Sequence, residues 1–172
     1  MNIEELLKNK TVKPKEKTAT ISKWLLDGSL PADELIAFAE KSKDPAKATC
    51  IEAMEYVTKQ KPEMADESVL KFVTKSLAAA APRVKWESAK VIGNIARLFP
   101  SKLEPSISGL LANSAHEGTV VRWSSAFALG EIVKLKTKHN VSLIPTIETI
   151  CEKEEKNSIR KIYLDAIKRI NK

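Results

Sequence analysis

The chain has 172 residues, 43% of them hydrophobic and 30% charged, a balance that supports one soluble domain with a real core. No apolar run approaches the roughly 18 residues of a membrane span, and the opening MNIEELLKNK lacks the apolar stretch and cleavage site of a secretory signal. The net charge of +7 is uneven, +3 over residues 1–23, −3 over 24–81, +5 over 82–140 and +2 over 141–172, which fits an anionic partner such as nucleic acid or simply a solvated basic surface.

Residues 2–9 form a short predicted helix with Ile3, Leu6 and Leu7 on one face. The polar stretch 11–20, with three lysines around Pro14, leads into a helix over 16–27 that carries Ile21, Trp24, Leu25 and Leu26 and stops at Gly28. From Ser29 the pattern becomes regular. Helices are predicted over 31–42, 45–60, 64–80, 82–98, 103–115, 119–136, 142–153 and from Asn157 or Ser158 to Ile170. Apolar residues recur at spacings of three and four, and no alternating strand pattern occurs. Six of the eight prolines fall at predicted helix starts or in gaps, where a missing N–H is least costly. Pro145 is placed in the first turn of 142–153. Cys50 and Cys151 lie inside helical patterns and read as reduced core residues of a cytoplasmic protein, with one long-range disulfide as the alternative.

One stretch organises the rest. TVVRWSSAFALGEIV at 119–133 is echoed by RVKWESAKVIGNIA at 83–96, so that Trp86 aligns with Trp123 and Gly93 with Gly130 at an offset of 37 residues. A self-match at that period marks a repeat array. Four helix pairs follow, at about 31–60, 64–98, 103–136 and 142–171, each too amphipathic to bury its face alone. Residues 1–28 form an N-terminal linker and cap. The fold expected is all-α, a right-handed α-solenoid.

With the second helix of each pair in register, Lys47, Lys85, Arg122 and Arg160 fall in one column, at spacings of 38, 37 and 38. A cation near a helix N-terminus opposes the helix dipole by roughly 0.3–1 kcal/mol. Either preceding carbonyls and acids such as Asp44, Glu117 and Glu154 offset this, or the column faces a groove and holds an anionic ligand. Trp86 and Trp123 follow the column directly. They either stack a ligand beside the cations or pack between units over Ala89 and Ala126.

VRWSSAFALGEI at 121–132 and VKWESAKVIGNI at 84–95 resemble the HEAT-repeat family in their Val-Arg, small-residue and Leu-Gly spacing; 45–57 and 158–170 fit more loosely. The resemblance covers about residues 30–172. It implies a concave groove lined by second helices and a hydrogen-bond ladder between units, from an acid six residues before each basic position. Those positions hold Lys41, Ala79, His116 and Glu154 here. Glu152, Glu154 and Glu155 otherwise read as a solvated charge run. Trp86, Arg122 and Trp123, with Glu87 as the nearby carboxylate, also resemble part of the set by which HEAT-like DNA alkylation repair glycosylases hold DNA.

The two histidines have no ligand cluster around them, and no phosphate loop or nucleophile elbow is present. The expectation is a non-enzymatic scaffold without cofactor or small-molecule substrate. It would bind a protein or peptide along a concave surface of Lys47, Lys85, Trp86, Glu87, Arg122, Trp123 and Arg160. A nucleic-acid-binding solenoid is the alternative; neither reading involves a membrane.

Overall fold

The computed structural model describes residues 1–172. Its ten α-helices are α1 (Ile3–Lys8), α2 (Pro14–Asp27), α3 (Ala32–Glu40), α4 (Asp44–Gln60), α5 (Glu67–Ser76), α6 (Pro82–Ile95), α7 (Glu104–Asn113), α8 (Thr119–Val133), α9 (Asn140–Lys153) and α10 (Asn157–Ile170). Short 3-10 turns at Pro62–Met64 and Ala96–Leu98 complete the regular structure, and there is no strand.

Local chemistry sets the boundaries. Asn2 and Glu5 close a capping box on α1, and the Asp66 carboxylate accepts from Val69 N at 3.2 Å to start α5. Proline occupies the first turn of α2, α4, α6 and α7. Gly28, with φ of 81°, ends α2 in the left-handed region that a side chain would resist. One expectation needs correction: α9 begins at Asn140, so Pro145 lies beyond its first turn, inside the helix. His139 O already accepts from Leu143 N at 2.9 Å, which starts the helix ahead of the proline.

The even-numbered helices form one layer, with α2, α4, α6, α8 and α10 each packed on the next. On the other side α3 packs on α5 and α5 on α7, while α3, α5, α7 and α9 each pack on the even helix that follows. α2 stands in the even layer ahead of α4, so the N-terminal segment continues that row. Lys17 Nζ donates to Leu7 O at 2.8 Å and ties α1 to α2.

A single apolar core of 35 buried residues runs through the chain. Helices α6 and α8 pack on each other, and there Gly93, buried, lies under the Phe127 ring. Small residues let the helix axes approach closely. Cys50 and Cys151 are buried free thiols, and burial pushes the Cys50 thiol up to about 12.

Candidate functional site

The basic column lies in the seams between pairs. Lys85 Nζ donates to Leu77 O at 3.1 Å and to Asn113 Oδ1 at 3.0 Å, joining the end of α5 to α7. Arg122 Nε donates to Glu154 Oε2 at 2.9 Å, while its Nη1 donates to His116 O at 3.1 Å and Glu117 O at 3.0 Å. Each cation closes the loop before its own helix and reaches the next pair. Glu154, the acid six residues before Arg160, accepts from Arg122, whereas Lys85 bonds Asn113 and not the corresponding position, His116. Both side chains are half-buried and hydrogen-bonded within the fold. Arg160 bonds the Asn157 side chain, and Lys47 is half-buried.

Glu154 corrects the reading of residues 152–155 as a solvated charge run, because it is 6% exposed. Burial alone would raise its carboxyl. The Arg122 and Lys156 N hydrogen bonds, with the Arg122 charge, outweigh that and hold it below the usual carboxylate range.

A second charged cluster occupies the seam between α4 and α6. Arg83 bonds Glu52, and Lys90 Nζ sits 3.8 Å from Glu55 and 3.7 Å from Glu87. Asn94 Nδ2 donates to Glu55 O and Thr58 Oγ1, both at 3.2 Å. Glu87 accepts from Trp86 Nε1 at 2.9 Å through Oε1, but its buried Oε2 has no partner. Burial pushes the Glu87 carboxyl up. Lys90 opposes this, Glu52 adds to it, Trp86 opposes and Glu55 adds, and the carboxyl remains above its usual range.

The outward face of the even layer carries apolar groups. Trp123 is 39% exposed, Val120 49% and Tyr56 52%. Trp123 stacks on Phe127 with ring centroids 6.1 Å apart and planes 8° from parallel. Phe127 in turn lies over Gly93 of α6, where an added Cβ would come within 2.3 Å of its ring. The sequence reading paired Trp123 with Trp86 or Ala126 and passed over Phe127. The available signal was the i, i+4 spacing of two aromatics on one helix.

The structure thus brings Trp86 to Glu87 and Trp123 to Phe127, and turns Arg122 into a seam. No three His, Cys, Asp or Glu side chains are grouped to hold a metal. No helix is long and apolar enough to cross a membrane. No protein-family model matches the chain, and no curated protein matches it in sequence.

Proposed function

We propose that the chain is a HEAT-type, right-handed α-solenoid scaffold, without catalytic chemistry, that holds a protein or peptide segment on the face of its even helices. The observation that carries this reading is Trp123, exposed beside Val120 on that face and stacked on the half-buried Phe127 ring. Bulky aromatics held in fixed rotamers on an open surface are the groups that anchor protein partners.

Ion pairs engage part of the basic segment. Of the basic residues in 82–140, Arg83, Lys90 and Lys102 pair with Glu52, Glu55 and Glu67 of the acidic segment. Arg122 pairs with Glu154 and Lys134 with Glu131. Arg97, Lys136 and Lys138 of the same segment are exposed and join no ion pair, and the chain keeps its net +7, so the protein reading rests on the aromatic face and the salt dependence below separates it from nucleic acid.

Affinity capture from a native lysate with the wild-type chain and with Trp123→Ala/Phe127→Ala tests the reading. A specific partner retained by the wild type should be lost from the double variant. If every partner survives the substitutions, the face is not the binding surface. A steep fall of DNA or RNA affinity with salt, unchanged in that variant, would favour the nucleic-acid alternative.

A further inference from the structure

The aromatic pair sits between unequal electrostatic neighbours. Toward α4, the carboxylates open to solvent are engaged, Glu52 by Arg83 and Glu55 by Lys90, while Glu87, near Lys90 and bonded to Trp86 through one oxygen, is buried. Toward α10, the balance is reversed. Setting Arg122 over Arg160, 38 residues apart, continues the row of Trp86 and Trp123 to Lys161. The same register continues the row of Asn94 and Glu131 to Arg169, and that of Phe127 to Asp165. Lys161 and Arg169 are exposed and join none of the ion pairs, and Asp165 alone stands between them. Eight residues of helix separate the two cations, about 12 Å along the axis.

We propose, resting on the reading of this face as a protein-binding surface, that its occupant is an acidic segment with a bulky apolar anchor. The anchor covers Val120, Trp123 and Phe127, and carboxylates of the segment reach Lys161 and Arg169. The accessible acids of the face are already paired and Glu87 is buried, so a basic segment would have to break internal pairs to find partners. An acidic one meets cations that have none. The same asymmetry fixes direction, because the acidic end of the segment lies over α10. Charge complementarity of this kind sets specificity and association rate more than total affinity.

The test uses the full chain and two synthetic peptides with the same Leu and Phe anchors, one with Glu and one with Lys at the remaining positions. Tryptophan fluorescence follows binding. The acidic peptide should bind at least tenfold tighter than the basic one. Lys161→Glu/Arg169→Glu, whose folding is checked by circular dichroism, should erase or invert that preference while leaving the anchor contact. Equal binding of both peptides, abolished by Trp123→Ala/Phe127→Ala, would overturn the acidic assignment and leave the protein-binding face standing. Binding that ignores Trp123→Ala/Phe127→Ala would overturn the face as well. Failure of both peptides to bind, or tighter binding of a single-stranded DNA oligonucleotide than of the acidic peptide, also overturns the proposal.

Discussion

Glu87 and Glu154 are both about 6% exposed, yet burial acts on them with opposite results. Glu87 keeps one oxygen without a partner, and its carboxyl is held high. Protonation therefore favours the folded state, and that stability is present below the ordinary carboxylate value and lost as pH rises through the raised one. Glu87→Gln should melt higher than wild type at neutral pH, with the two curves converging as pH falls toward the carboxylate range. Glu154 has the reverse sign, because its carboxyl is held low and the ion pair stabilises only while it is charged. Glu154→Gln should lose about 3 kcal/mol at neutral pH, the low end for breaking a buried pair since Arg122 keeps 18% exposure. That gap should close as pH drops through the lowered value. Thermal melts against pH check both, and parallel curves for either variant would refute the assigned titration. The role of Glu87 was not legible in sequence, whereas Glu154 stood out there as the one acid six residues before a basic position; its burial did not, since three glutamates within four positions look solvated until Arg122 arrives.

Two glycines that the repeat makes equivalent face different neighbours. A Cβ on Gly93 would stand 2.3 Å from the Phe127 ring, whereas one on Gly130 would meet Ala166 Cβ at 3.4 Å. Gly130→Ala should therefore be neutral or stabilising by up to about 1 kcal/mol, the helix-propensity gain. Gly93→Ala should destabilise by about 1–3 kcal/mol through overpacking, and Phe127→Ala in the same chain should relieve it. Chemical denaturation of the single and double variants measures this. A Gly93→Ala chain as stable as wild type would show that the ring moves aside freely. The helices themselves were readable, because proline, glycine and a 3.6-residue apolar period all mark the same boundaries. What the sequence concealed was the neighbour. Helix α8 has buried residues over most of its circumference, so nothing local distinguishes Phe127 on the open face from Leu129 in the core.

At the scale of the whole molecule, each even helix touches the even helices before and after it, and stability accrues from these contacts. Helices α4, α6 and α8 have even neighbours on both sides, while α10 has α8 as its one even neighbour and α1 packs on α2. Amide hydrogen exchange should be slowest in α4, α6 and α8 and faster by orders of magnitude in α1 and α10. Uniform protection would show that the chain opens as one unit. The row of even helices was legible from the period near 37, and the use of the basic column was not, since the sequence cannot say which way a long side chain bends. The ring of Phe127 belongs to two surfaces at once, the wall of the open face and the filling between α6 and α8. A visitor that leans on this ring presses it toward Gly93, and one that draws it outward leaves a hollow between two neighbouring rods. Occupancy and spacing are thereby mechanically linked, and a guest on the wall can set how tightly the middle of the stack is clasped.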